Sequence, residues 1–204
     1  MTVSELKNLL YSSAELLKGK EDYLCAVDAE TGDGDCGVAV ARICSAIMEV
    51  TGPDSDAANS VGDLMSDISM KIMGLNGGSS VPLWAMLFDG MADASEDMKE
   101  VDADGAKALF AGALEGIQTV SNAKVGEKTM MDAIIPAVEA AQKASGSVLD
   151  AAAEAAAAGA EATKDMVAKY GRAKNLLEDS KGHYDAGALA ISILVNALRD
   201  NSKK

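Results

Sequence analysis

The sequence predicts an all-α protein, on three observations. Apolar residues recur at helical intervals, as in Leu6, Leu9, Leu10, Leu16 and Leu17. No alternating apolar and polar segment bounded by turns offers a strand. Aromatic residues make up only 3% of the chain while alanine and methionine abound, so the interior must be built from small and flexible side chains, which suits close helix-on-helix packing.

Thr2 and Glu5 have capping-box spacing, so a first helix is expected from there to Gly19. Beyond the acidic stretch DAETGDGDCG at 28–37, Val40, Ile43, Ala46 and Ile47 mark a second helix, stopped near Thr51-Gly52-Pro53. Val61, Leu64, Met65, Ile68 and Ile72 mark a third, ending at Gly74. LNGGSSVPLWAMLFDGM reads as a glycine turn, a serine cap and a fourth helix with Pro82 in its first turn, where a missing N–H costs little. Further helices are expected over 103–123, 127–144, 147–170 and 185–200, making eight. The run AAAEAAAAGAEA from Ala151 is low in complexity, yet its residues are strong helix formers, so it reads as a closely packed helix. The Gly and Ser clusters between helices are short, and a single domain spanning 1–204 is expected.

Charge narrows the partners. Eighteen basic residues against 32 acidic give a net charge of -14, which argues against nucleic acid or an anionic membrane, since both need clustered Lys and Arg. The longest apolar runs are too alanine-rich and too interrupted by charge to span a bilayer. Cys25, Cys36 and Cys44 are odd in number and form no CxxC pair, and no apolar segment follows Met1, so a cytoplasmic location is expected. Cys25 and Cys44 sit at apolar helical positions and are expected in the core, with Trp84 and the methionines of the third helix.

The acidic stretch carries the chemistry. Asp28, Asp33 and Asp35 fall within eight residues, and carboxylates so crowded repel one another unless something cationic sits among them. Their oxygens suit hard cations, and magnesium is held by a few carboxylates while arriving with nucleotide phosphates. The competing reading is an Asp/Gly-rich capping loop in which Asp33 or Asp35 caps the helix that follows. GDGDCG matches the dinucleotide pattern GxGxxG, but no strand feeds it and its aspartates would repel a bare phosphate. A calcium EF-hand fails because the twelfth position from Asp33 is Cys44, and GLNGGSS lacks the lysine of a P-loop. In an up-and-down bundle, loops after odd-numbered helices gather at one end, which would bring the acidic turn, the serine turn and the final loop together.

Four segments then carry a resemblance: TGDGDCG, GGSSVPLW, GEKTMMDAIIPAVEAA and GRAKNLLEDSKGHYDAGA. In order and spacing, over nearly the whole chain, they resemble the ADP-binding L subunits of dihydroxyacetone kinases, whose usual forms are similar to GDGDHG, GGTSGPL, GDKTMLDA and GRA followed by GHxDPGA. The resemblance implies an eight-helix antiparallel up-and-down barrel with a nucleotide site at one end. It implies that Asp28, Asp33 and Asp35 chelate two magnesium ions bridging the phosphates of ADP or ATP. It implies nucleotide contacts from Ser79, Ser80 and Met130, from Arg172 as the catalytic group near the phosphates, and from Asp185, Ala186 and Gly187 of a lid. Cys36 and Ala39 stand at nucleotide positions where the family usually has histidine and asparagine, Val81 replaces a glycine, and Ala186 replaces a proline.

The partners so implied are a separate dihydroxyacetone-binding K subunit and a phosphohistidine donor protein of the phosphotransferase system. The chemistry would be phosphoryl transfer by positioning and charge neutralisation, with no nucleophile from this chain. Two alternatives stand beside it: a subunit of an ATP-dependent two-subunit kinase for another small ketose or polyol, and a non-catalytic nucleotide-binding regulatory module. His183 is expected to order its loop by hydrogen bonding, and Lys128 either to reach a phosphate or to brace its loop.

Overall fold

Caps and breaks divide the chain into nine α-helices among the residues described, 1–56 and 58–204, in a computed structural model. They are α1 (Val3–Lys18), α2 (Glu21–Ala29), α3 (Cys36–Thr51), α4 (Val61–Met73), α5 (Ser80–Asp93), α6 (Ala103–Gln118), α7 (Met131–Lys143), α8 (Val148–Ala162) and α9 (Ala186–Asn201). α1 starts with the expected capping box: the Glu5 N–H donates to Thr2 Oγ1 at 3.3 Å and the Thr2 N–H to Glu5 Oε2 at 2.7 Å. Ser60, Asp102, Ser147 and Asp185 cap α4, α6, α8 and α9, each side chain accepting the N–H three residues on.

The expected count of eight helices differs from the nine found by α2, which no expected helix covered and which follows α1 after only Gly19 and Lys20. Those two residues keep φ of -65° and -102° with ψ near zero, so the chain bends without reversing, and both helices pack on α3 as one bent rod. Eight rods result. Each packs on its neighbour in sequence, and α9 closes back onto α1, giving the antiparallel ring. The connections α2–α3, α4–α5, α6–α7 and α8–α9 therefore gather at one end, here called the upper end.

The ring is filled by Trp84, Phe88, Ile43, Ile47, Leu64, Ile68 and Ile117, all 2% exposed or less. Burying each such side chain contributes about 1.5–3 kcal/mol. Ala152, Ala153, Ala156 and Ala160 of the low-complexity run face inward, so that segment is a packed helix as expected. Small residues let the helices approach closely. A Cβ on Gly112 would lie 2.2 Å from the Gly90 carbonyl oxygen, and one on Gly116 would lie 2.1 Å from that of Met86, so α5 and α6 touch backbone to backbone. In α7, Pro136 has no N–H for the Asp132 carbonyl four residues back, and Gly159 of α8 lies against that oxygen instead.

Several expectations need correction. The helix expected over 147–170 ends at Ala162, where the Thr163 hydroxyl donates to the Ala160 carbonyl; a 3-10 turn at Thr163–Asp165 and irregular chain follow. Residues 119–123 and 127–130 likewise lie outside α-helix, the latter because Lys128 adopts a left-handed φ of 58°. Met65 is buried with Leu64, Ile68 and Ile72, but Met70 and Met73 fall on the outward face of α4 and are 63% and 49% exposed. Cys44 is buried, whereas Cys25 is half-buried. No strand occurs among the described residues beyond one bridge between Thr2 and Glu100, and no helix there is long and apolar enough to cross a membrane.

The α5–α6 contact makes Gly112→Val a direct test of the packing. The added side chain must displace backbone, so the variant should lose about 3 kcal/mol of stability in urea unfolding. A loss below about 1 kcal/mol would contradict the contact.

Candidate functional site

Like charges meet at the junction of α2 and α3. Asp28 comes from the last turn of α2, while Asp33 and Asp35 come from the turn that follows, in which Gly34 takes a left-handed φ of 74°. Each of the three offers an oxygen, and these oxygens all lie within 4.8 Å of one another. Close helix approach brings Asp28 there: a Cβ on Gly37 would sit 2.0 Å from the Glu21 carbonyl oxygen, so only glycine lets α3 cross α2 this closely.

The competing capping-loop reading can be judged directly. Asp35 occupies the N-cap position of α3 but makes no side-chain cap. The cap comes instead from Asp28, whose Oδ2 accepts from the Asp35 N–H at 3.1 Å and the Cys36 N–H at 3.4 Å. Asp33 and Asp35 stay exposed, and Asp33 pairs with Arg172, Nη2 to Oδ2 at 2.7 Å. One aspartate thus orders the turn and the other two present exposed carboxylates, Asp33 sharing one oxygen with Arg172, a donor set fitting a hard divalent cation.

Arg172 arrives on a long connection between α8 and α9. The Ala168 N–H donates to Ser180 Oγ at 3.0 Å, closing the segment into a loop, and Gly171 beside Arg172 has a φ of 64°. The Lys169 N–H reaches the Glu127 carbonyl at 3.1 Å and Lys169 Nζ reaches Glu127 Oε1 at 3.3 Å, which moors the loop to the α6–α7 connection. His183 Nδ1 meets Glu30 Oε2 at 2.9 Å, the loop-ordering contact expected of it. The acidic turn, the arginine loop and the α6–α7 connection are therefore side by side.

The serine turn lies across a cavity of about 190 Å³ from the acidic turn. Asp35, Val38, Ala39 and Arg42 form one wall, and Leu75, Gly77, Gly78 and Val81 the other. Ser79 holds the N-cap position of α5 without a side-chain cap; the Val81 N–H already donates to the Gly78 carbonyl at 3.3 Å and Pro82 has none, so the N–H groups of Ser79 and Ser80 are those available to an anion. Cys36 begins α3, and its thiol is pushed up to about 12 by burial, with Asp28, Asp185 and Asp35 adding. It is a neutral thiol, unsuited to act as a nucleophile.

Met130, buried, stands at the N-cap position of α7, and Gly187 in the first turn of α9 lies against it. The segment Asp185-Ala186-Gly187 begins α9, with Asp185 Oδ1 accepting the Ala188 N–H at 2.7 Å. Of the groups that support the site, Asp132 escaped the sequence and Lys128 stood between two readings. Asp132, fully buried, accepts from the Gly126 N–H at 2.6 Å and the Thr129 N–H at 2.7 Å, folding the loop ahead of α7. Lys128 is bracing, not extended, with Nζ on the carbonyls of Thr163 and His183. The Thr129-x-x-Asp132 spacing is a helix-start signal that could have found the first of these.

Burial pushes the Asp185 carboxyl up to about 7; the Ala188 N–H and Lys128 oppose the shift, and the charges of Asp132 and Asp28 add to it. The folded chain holds this proton more tightly than the unfolded chain, where the carboxyl ionises near 3.8. The stabilisation it gives is complete below about pH 4 and is lost as pH rises through about 7. Asp185→Asn keeps the acceptor for Ala188 and cannot ionise, so relative to wild type it should gain stability between about pH 4.5 and about pH 7.5. A difference independent of pH in urea unfolding would show that Asp185 ionises normally.

Comparison with known proteins bears on this end of the ring. A family model described as Dak2, the DAK2 domain, matches residues 30–200. The chain is 29% identical to the ADP-binding subunit DhaL of PEP-dependent dihydroxyacetone kinase 2 of Listeria innocua, covering 97% of this chain and 94% of that one. It is 33% identical to the DhaL subunit of kinase 1 of the same organism, over 90% and 89% of the two chains. Its fold matches the dihydroxyacetone kinase from C. freundii, solved with AMP-PNP and Mg2+, at a TM-score of 0.75 and 27% identity, covering 95% of this chain and 33% of that one. An all-α ring with its polar connections gathered at one end, matched in sequence from residue 30 to residue 200, places this chain in the DAK2-domain family.

Proposed function

We propose that this chain is the ADP-binding, phosphoryl-transferring subunit of a dihydroxyacetone kinase complex, working through a nucleotide held at the upper end of the ring. The observation that carries the reading is the trio Asp28, Asp33 and Asp35, with oxygens within 4.8 Å of one another, in a chain similar along its length to ADP-binding subunits. A protein of net charge -14 needs a cation to hold a polyphosphate, and this trio is where one fits.

The three aspartates would hold two magnesium ions, which when bound supply Lewis-acid neutralisation of phosphate oxygens. Asp28 is already oriented by the N–H groups of Asp35 and Cys36. The Arg172–Asp33 pair is exposed, and such pairs contribute about 0–1 kcal/mol, so Arg172 can leave Asp33 at little cost and turn its guanidinium to a phosphate. The open N–H groups of α5 at Ser79 and Ser80 face the same anion, and Ala39 and Val81 wall the cavity for the nucleoside. Met130 with Asp185-Ala186-Gly187 covers it against water. Donor and acceptor come from partners: a phosphohistidine protein of the phosphotransferase system supplies phosphate, and a K subunit presents the hydroxyl of dihydroxyacetone.

Asp33→Asn tests the metal assignment. The variant should lose magnesium-dependent ADP retention in equilibrium dialysis while its circular dichroism stays helical. Retention equal to wild type would remove Asp33 from the metal site.

A further inference from the structure

Lys128 is the buried cation of the upper end. It is 2% exposed, and its ammonium donates to the Thr163 carbonyl at 2.6 Å and the His183 carbonyl at 2.5 Å. No other side chain among the described residues joins two separate segments through main-chain carbonyls in this way. The three segments it joins are the loop before α7, the end of α8 and the start of the approach to α9. Thr163 strengthens the junction by accepting the Asp185 N–H at 3.0 Å on its hydroxyl.

The local backbone is shaped for this role. Lys128 holds a left-handed φ of 58°, a conformation that side-chain-bearing residues adopt only when their surroundings impose it. The imposing group is Asp132, which grips the Gly126 and Thr129 N–H groups on either side. With two of its three donors on main-chain carbonyls and its side chain buried, Lys128 acts through the segments it ties.

We infer that Lys128 is a positioning residue that fastens Asp185-Ala186-Gly187 against Met130 and so sets how long a nucleoside diphosphate stays bound. The inference rests on the functional reading above. Without the ammonium, the His183 and Thr163 carbonyls lose their shared donor and the start of α9 is free to move away from α7. Nucleotide escape should then speed up while capture, governed by the acidic turn, stays nearly as it was.

The test is dissociation of ADP carrying a fluorescent methylanthraniloyl group, with magnesium, from full-length wild type, Lys128→Met and Lys128→Gln. Hydrogen exchange of the three ligand-free proteins is followed in parallel. Dissociation from Lys128→Met should be at least about tenfold faster, a cost of about 1.4 kcal/mol, with association changed by less than about threefold. Protection should fall at 163–166 and 182–187 and hold in α3, α4 and α5. Lys128→Gln, which keeps one donor group, should fall between and carries the comparison should the methionine variant not fold. Dissociation within about twofold of wild type in both variants, or loss of protection spread evenly around the ring, overturns the positioning role while leaving the nucleotide reading intact. A wild type that fails to bind the probe overturns the reading and this inference with it.

Discussion

Mutual repulsion of three carboxylates is the constraint around which the upper end is built. Asp28, Asp33 and Asp35 are brought together by a glycine crossing of α2 and α3 and a left-handed glycine in the turn, both of which cost conformational freedom. Neutralisation within the chain is partial: Arg172 pairs with Asp33, and two backbone N–H groups serve Asp28. In the function proposed above, a cation at this turn accounts both for the gathered acid and for the way so acidic a chain would accommodate phosphate.

The ring makes this affordable by separating tasks. Its wall is held by small residues in close contact, glycines between α5 and α6 and alanines along α8, so the packing of the wall is built apart from the polar end. Alternating direction then delivers four connections to one end, where the acidic turn, the open start of α5, the Lys128 junction and the arginine loop each supply one element. Some are rigid and some are not. Asp132 and Lys128 are buried and each hydrogen-bonded twice to main chain, whereas Arg172 and Asp33 meet in the open, so the support is fixed while the groups proposed to touch phosphate remain movable.

Much of this was legible in the sequence. The periodicity of Leu6 to Leu17 and of Val61 to Ile72 locates helices, the Thr2–Glu5 box locates a start, and the spacing of Asp28, Asp33 and Asp35 identifies the cluster. α2 was missed because it is short and its acidic residues dilute the apolar signal of Leu24 and Val27. The early end of α8 depends on Thr163 being drawn toward Lys128 and Asp185, contacts 35 and 22 residues distant that no local pattern encodes. That Asp28 and not Asp35 caps α3 follows likewise from how α2 lies on α3, and the outward turn of Met70 and Met73 from the width of the buried stripe on α4.

The measurement that bears most directly on the central claim is the content of the protein as purified. After extensive dialysis the chain is denatured, and released nucleotide and magnesium are quantified per chain. The account predicts near-stoichiometric adenine nucleotide with about two magnesium ions. Protein that carries neither, and that takes up no ADP or ATP when magnesium is supplied, would contradict it.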